Sequence, residues 1–154
     1  MSENTIKVGE KAPNFVLKDQ NKNEFRLADM KGKRVLLSFH PMAWTGVCAK
    51  QMKALDRNKE VFDELNTLAF GISIDHVPCK YSWAKELNIT RTPLLCDFWP
   101  HGALARDCRL FLEDMGFSAR ANVIVDEDGL VVFVRVYDIP QLPDIDEIVN
   151  FLRG

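Results

Sequence analysis

The sequence lacks long apolar runs, a strong excess of either charge and a dense set of cysteines. No apolar run approaches the roughly 20 residues that span a bilayer, and residues 1–30 lack the basic, apolar and small-residue segments of a secretory signal. With 20 basic and 22 acidic residues, the formal charge of -2 creates no field that would favour nucleic acid or an anionic membrane. We therefore expect a soluble cytoplasmic protein whose partners are small molecules and other proteins, not nucleic acid or membrane.

Four cysteines in 154 residues are too few for a secreted scaffold built on disulfides. In a reducing compartment, a thiol is more often buried, catalytic or metal-bound. The absence of a C-x-x-C pair argues against a disulfide reductase. His76 and Cys79 have the H-x-x-C spacing of half a zinc site, but no second pair of ligands lies nearby in the sequence. We therefore predict neither a metal nor any other cofactor.

The hydrophobic pattern predicts a single domain over residues 1–154. Apolar segments bounded by turn residues predict a hairpin at 15–17 and 24–27, then strands at 34–40, 68–74, 94–95, 122–125 and 130–136. Apolar residues at helical spacing predict helices at 48–65, 80–87, 102–108 and 144–152. This succession predicts a three-layer α/β sandwich that begins with a β-hairpin and has helices on both faces of a mixed central sheet.

The segment that follows the first predicted buried strand contains the candidate reactive residues. It has the sequence P-M-A-W-T-G-V-C, from Pro41 to Cys48, and the cysteine falls in the first turn of the following helix. Unpaired backbone N–H groups and the helix macrodipole stabilise an anion at this position, so Cys48 should form a thiolate readily. Thr45, just before the helix, can also serve as its N-cap.

This segment resembles the active site of the peroxiredoxins, the AhpC/TSA superfamily, whose pattern is Pro, three residues, Thr, two residues, Cys. Pro41, Thr45 and Cys48 match the pattern in order and spacing. The segments V-G-E-K-A-P-N-F, K-G-K-R-V-L-L-S-F and I-S-I-D extend the resemblance over almost the whole chain, and D-F-W-P-H-G-A-L-A-R resembles the AhpE-like and PrxQ-like branches. The resemblance implies a thioredoxin-like fold.

The resemblance also implies a role for each matching residue. Cys48 is expected to be the peroxidatic cysteine, Thr45 to bind the peroxide through its hydroxyl, and Pro41 to shield the thiolate from water. Arg120, in S-A-R-A-N-V-I-V-D, corresponds to the distant arginine of the family. Its guanidinium would favour the thiolate and bind the leaving oxygen.

Two positions depart from the family pattern. Gln51 stands where many members have a glutamate, and His40 stands where an aromatic residue is common. A neutral amide can still form hydrogen bonds without opposing the thiolate, so we interpret Gln51 as tuning the site rather than inactivating it.

A sulfenic acid formed at Cys48 must be reduced by a second thiol. Cys79 is the preferred resolving cysteine, because it should lie at a helix N-terminus that favours its thiolate. Cys96, expected at the end of a core strand, and Cys108, expected in a helix, rank second and third. The family's commonest intrahelical resolving position holds Lys53, and no cysteine follows Cys108, which excludes two other arrangements. An external thiol acting directly on a one-cysteine enzyme remains open.

We therefore predict a thiol-dependent peroxidase that reduces hydrogen peroxide and alkyl hydroperoxides. The resemblance implies a thioredoxin-like or glutaredoxin-like reductant and a homodimer, in which Trp44 could contact the partner near the active site. The alternative is a peroxide-sensing redox switch or chaperone-like protein that uses the same cysteine chemistry.

Overall fold

A five-stranded mixed sheet forms the centre of the molecule, whose structure is a computed structural model that describes residues 4–154. The strands of the chain are β1 (Val16–Lys18), β2 (Glu24–Arg26), β3 (Arg34–Phe39), β4 (Thr67–Ser73), β5 (Leu94–Cys96), β6 (Phe111–Leu112), β7 (Phe117–Ser118), β8 (Arg120–Val125) and β9 (Val131–Tyr137). The central sheet has the order β5-β4-β3-β8-β9, in which β3, β4 and β5 are parallel and β8 and β9 antiparallel. β1 pairs with β2, and β6 with β7, in two separate hairpins.

Helices cover both faces of this sheet, as predicted. They are α1 (Gly46–Arg57), α2 (Lys59–Glu64), α3 (Val77–Leu87), α4 (Ala103–Asp107) and α5 (Ile145–Arg153). On one face, α1, α2, α3 and α5 contribute Met52, Phe62, Trp83 and Val149 to the core. The other face is covered by α4, the β1–β2 hairpin and a short 3-10 helix, Leu27–Met30. No helix within residues 4–154 is long and apolar enough to cross a membrane.

The predicted helix at 48–65 is wrong in one respect, because α1 and α2 are separate helices joined at Asn58. The Asn58 side chain donates from Nδ2 to the Ala54 carbonyl over 2.8 Å. Asparagine competes in this way for backbone groups and is a poor residue for a helix interior. The β6–β7 hairpin was not predicted, since its strands have only two residues each.

The strand register brings the predicted site residues together at the carboxyl end of β3. Phe39, the last residue of β3, pairs with Ile72 of β4 and with Ala121 of β8. Because β8 runs antiparallel to β3, its first residue, Arg120, lies beside the end of β3. The loop into α1 leaves β3 at this same end, so Cys48 and Arg120, which are distant in sequence, come together.

Candidate active site

Cys48 lies in the first turn of α1 and is buried. The preceding loop follows β3, where Pro41, also buried, comes directly after the strand. The helix N-terminus directs unpaired N–H groups and the positive end of its dipole toward this turn. The structure thus places Cys48 and Pro41 where the sequence predicted them, with the sulfur excluded from bulk water.

Arg120 is buried as well, although its guanidinium is permanently charged. Its Nη1 donates to the Cys48 sulfur over 3.3 Å and to Oε1 of Gln51 over 2.8 Å. Its Nε donates to the backbone carbonyl of Ile139 over 2.8 Å. These bonds fix the guanidinium, so that its positive charge faces the sulfur.

Gln51, one turn after Cys48, orients Arg120. Its Nε2 donates to Ser38 Oγ over 2.8 Å and to the Phe39 carbonyl over 3.1 Å. With both donors used in this way, the amide oxygen points at Arg120. A carboxylate in this place would neutralise part of the guanidinium charge, whereas the amide leaves that charge available to the sulfur.

Thr45 occupies the N-cap position of α1 and is exposed. Its hydroxyl donates to the Met42 carbonyl over 2.9 Å and forms no bond to a helix N–H group. The expected side-chain cap is therefore wrong, because the hydroxyl hydrogen is used within the loop. The lone pairs of Oγ1 can still accept a hydrogen bond from a ligand hydroxyl.

The loop between β3 and α1 is strained, and a carboxylate holds it. Trp44 has a left-handed backbone with φ of 68°, which is uncommon for a bulky residue and costs about 1–3 kcal/mol. Oδ2 of Asp75 accepts from the Ala43 N–H over 2.7 Å and from the Ser73 hydroxyl over 2.6 Å. Asp75, which follows the neighbouring strand, thus anchors the loop that carries Thr45.

Sequence reasoning missed Lys80, which is fully buried next to this loop. Its Nζ lies 2.7 Å from Nε2 of His40 and donates to Ser73 Oγ over 2.7 Å. It also lies over the Trp83 ring, 5.2 Å from the centroid. The helical spacing of Lys80, Trp83 and Ala84 was the signal, since a lysine on the apolar face of an amphipathic helix must be buried.

His40 accepts the hydrogen bond from Lys80. Burial, followed by the charge of Lys80, holds the pKa of His40 well below its ordinary value, so the ring is neutral. Its Nδ1 is buried and has no hydrogen-bond partner among residues 4–154.

The other three cysteines are free thiols. Cys96 and Cys108 are buried, and burial raises the pKa of each to about 12, so neither is a ready nucleophile at neutral pH. Cys79 is partly exposed, and its sulfur donates to Oδ1 of Asp75 over 3.7 Å. The expectation that its thiolate would be favoured is wrong, because burial and then Asp75 raise the pKa of Cys79.

The H-x-x-C segment, from His76 to Cys79, has a structural role. Nδ1 of His76 accepts from the Cys79 backbone N–H over 3.1 Å and thereby caps α3. Pro78 occupies the first turn, which is why α3 begins at Val77, ahead of the predicted 80. Within residues 4–154, no three His, Cys, Asp or Glu side chains are grouped so that they could hold a metal ion.

We predict that Gln51→Glu destabilises the protein by about 1–3 kcal/mol, because a buried carboxylate cannot donate to the Phe39 carbonyl that now accepts from the amide. Urea unfolding checks this prediction, with the exposed Gln141→Glu as the control. Equal stability of Gln51→Glu and the control would contradict this account of the amide.

Comparison with known proteins identifies the family. The AhpC/TSA family model matches residues 8–134. Alkyl hydroperoxide reductase E of Mycobacterium tuberculosis is 36% identical over 132 residues, which cover 85% of this chain and 86% of that protein. Peroxiredoxin-1 of Gekko japonicus is 29% identical over 164 residues, which cover 100% of this chain and 81% of that protein.

Solved structures agree with this match. The reduced 2-Cys peroxiredoxin of Plasmodium vivax superposes with a TM-score of 0.85 at 28% identity, covering 95% of this chain and 80% of that one. AhpC of Enterococcus faecalis shares the fold, with a TM-score of 0.86 at 23% identity over 95% of this chain and 90% of that one. The chain therefore belongs to the AhpC/TSA family and is a peroxiredoxin, a thiol-dependent peroxidase.

Proposed function

We propose that Cys48 is the peroxidatic cysteine and that it reduces hydrogen peroxide and alkyl hydroperoxides. The observation that carries this proposal is the hydrogen bond from Arg120 Nη1 to the Cys48 sulfur at the start of α1. A permanent cation and a helix N-terminus both favour the thiolate at the same atom. The relative named alkyl hydroperoxide reductase E supports alkyl hydroperoxides as one class of substrate.

In the proposed reaction, the thiolate attacks the terminal oxygen of the hydroperoxide. An S–O bond forms and the O–O bond breaks, so that Cys48 is oxidised to a sulfenic acid. The departing oxygen takes a proton from solvent and leaves as water or an alcohol. Oγ1 of Thr45 accepts from the peroxide hydroxyl, Arg120 stabilises the charge on the leaving oxygen, and Pro41 limits access of water.

Cys79 is the resolving cysteine in this proposal. Of the four cysteines it alone is partly exposed, and Asp75, which accepts from its sulfur, also accepts from the Ala43 N–H in the loop before Cys48. The Asp75 carboxylate, 3.7 Å from the Cys79 sulfur, can accept its proton. Attack on the sulfenic acid forms an S–S bond and releases water.

A thioredoxin-like or glutaredoxin-like protein then reduces the disulfide by thiol exchange. If Cys79 does not resolve the sulfenic acid, an external thiol does so directly. The four free thiols of the chain suit a reducing compartment, and the cytoplasm is the location we propose. No feature of the site or the comparisons favours a sensor or chaperone-like role.

Mass spectrometry of the intact reduced protein after one equivalent of hydrogen peroxide tests both cysteine roles. We expect wild type to lose two hydrogens as an intramolecular disulfide forms. Cys79→Ser should stop at a sulfenic acid that a dimedone probe traps, and Cys48→Ser should remain unchanged. Cys108→Ser, which replaces a buried thiol outside the site, is the matched control and should behave as wild type.

Two results would contradict parts of this proposal. An unreactive Cys48 in wild type would overturn its peroxidatic role. A stable sulfenic acid on wild-type Cys48 would overturn the role of Cys79 and indicate a one-cysteine enzyme.

We propose that the enzyme is a homodimer that associates through an exposed apolar surface beside the active site. Asp75 accepts from the Ala43 N–H, next to Trp44, and from the Cys79 sulfur at the start of α3, and His76 packs edge-on against Phe98 with centroids 5.5 Å apart. These contacts connect the loop, α3 and the segment after β5. The surface consists of Met42, Trp44, Tyr81, Phe98 and Trp99, all exposed. Apolar side chains clustered in this way are typical of protein interfaces.

Sedimentation equilibrium tests the dimer. Wild type should have twice the 17.6 kDa mass of the chain. A double change, Tyr81→Glu with Phe98→Glu, should shift it to monomer, because it buries charge at the contact. Met115→Glu, at an exposed apolar residue in the β6–β7 turn, is the control and should stay dimeric. A monomeric wild type, or a dimeric double variant, would contradict this interface.

A further inference from the structure

Three cations lie on the exposed face of α1 without a partner. Lys50, Lys53 and Arg57 recur at steps of three and four residues, on the side of the helix that faces away from the core. Their side chains form no hydrogen bond and no ion pair within residues 4–154. Exposed cations elsewhere pair with carboxylates, as Arg91 does with Glu60. The three cations of α1 are therefore free to bind an anionic group of another molecule.

These cations form one wall of a groove with a volume of about 360 Å³. The other wall is the segment 142–145, in which Leu142 is exposed and Ile145 is half-buried. The groove contains one carboxylate, Asp144, which accepts from the Asp146 N–H over 2.9 Å as the N-cap of α5. Three cations against one carboxylate give the groove a positive charge beside an apolar wall.

The groove continues across α1 toward the end of α3. A second cleft, of about 220 Å³, shares Lys53 and Arg57 with the groove and adds Ile89 and Arg91. Asp56 also lines this cleft, but its carboxylate accepts from the Arg91 N–H over 3.0 Å. A cationic and partly apolar surface that extends across a helix in this way fits the surface of another protein better than it fits one small molecule.

Both walls of the groove begin beside the proposed active site. Lys50 comes two residues after Cys48 in α1. On the other wall, Leu142 comes three residues after Ile139, whose carbonyl accepts from Arg120 Nε over 2.8 Å. A protein that binds in the groove therefore lies next to the helix turn that carries Cys48.

We propose that this groove is the docking site of the protein that reduces the oxidised enzyme, and that this protein presents an acidic surface beside a pair of cysteines. Its carboxylates bind Lys50, Lys53 and Arg57, and its apolar side chains pack against Leu142. Because the whole chain has a formal charge of -2, an acidic partner is attracted to this groove rather than to the surface in general. The inference rests on the proposed peroxidatic role of Cys48.

The partner supplies both electrons of the reduction as a dithiol. One of its thiolates attacks the disulfide between Cys48 and Cys79, so that a mixed disulfide forms and one enzyme thiolate is released. The second partner thiolate then displaces the enzyme, and the partner leaves as a disulfide. The two protons of the dithiol pass to the enzyme thiols. If Cys48 is still a sulfenic acid, the first attack releases water instead.

Two synthetic peptides test the proposal. Both carry the same C-x-x-C pair, which is followed by four glutamates in the acidic peptide and by four lysines in the basic one. Peroxide consumption at low ionic strength gives kcat/KM for each peptide, and the ratio of the acidic to the basic value is compared between proteins. The intrinsic reactivity of each peptide cancels in this comparison.

We expect the ratio to fall by about tenfold or more in Lys53→Glu with Arg57→Glu, because the reversed charges repel the acidic peptide and attract the basic one. Lys11→Glu with Lys31→Glu is the matched control. It makes the same change in charge at exposed residues near the opposite end of β3, and it should keep the wild-type ratio. In wild type itself, the ratio should also fall at about 0.5 M salt, since salt screens exposed charges.

Three results would contradict the proposal. An unchanged ratio in Lys53→Glu with Arg57→Glu, or an equal fall in the control, would overturn the docking site. A wild-type ratio that does not respond to salt would do the same. Dithiothreitol, a neutral dithiol, distinguishes failure of the proposed function. If wild type consumes no peroxide with dithiothreitol, the peroxidatic role of Cys48 is wrong and the docking site has no basis.

Other occupants of the groove give different results. If a second copy of the chain occupied it, Lys53→Glu with Arg57→Glu would be monomeric in sedimentation equilibrium. If an anionic membrane occupied it, wild type would sediment with phosphatidylglycerol vesicles and the double variant would not. Either result would overturn the proposed occupant.

Discussion

The hydrogen bond from Arg120 Nη1 to the Cys48 sulfur joins the first residue of β8 to the first turn of α1. It requires β8 to run antiparallel to β3 in the register that pairs Ala121 with Phe39. It also requires the loop after β3 to reverse into α1 within a few residues. The strained backbone at Trp44 and the anchoring carboxylate of Asp75 serve that reversal. The sheet, the loop and the helix thus converge on one contact between a cation and a sulfur.

The two residues that depart from the family pattern, Gln51 and His40, have the same physical role. Gln51 accepts a hydrogen bond from Arg120, and His40 accepts one from Lys80. Each buried cation is therefore held by a neutral acceptor. A carboxylate beside either cation would neutralise part of the positive charge. An amide or a neutral imidazole instead fixes the position of the cation and leaves its charge available. For Arg120, the group that gains from this arrangement is the sulfur of Cys48, to which its Nη1 donates.

Most of the fold and the core of the site could be predicted from the sequence. The apolar runs of β3 and β4 and the spacing of α5 follow directly from burial, and the Pro41 to Cys48 segment indicated the cysteine that we propose as the nucleophile. Asn58 interrupts a helix through one side-chain bond, which an apolar pattern does not detect. The accessibility of Cys79 and the burial of Lys80 depend on how α3 packs against the loop. The helical spacing of Lys80 signalled its burial, but tertiary contacts are not encoded by local spacing, so the partners of Lys80 and the accessibility of Cys79 could not be predicted.

The second-order rate constant for oxidation of Cys48 by hydrogen peroxide, compared between wild type and Arg120→Gln, tests the central claim most directly. Glutamine keeps a hydrogen-bond donor near the sulfur but removes the positive charge. If the buried guanidinium stabilises both the thiolate and the leaving oxygen, the rate constant falls by about 100-fold or more. A rate constant within about twofold of wild type, in a variant that unfolds in urea as wild type does, would contradict the account.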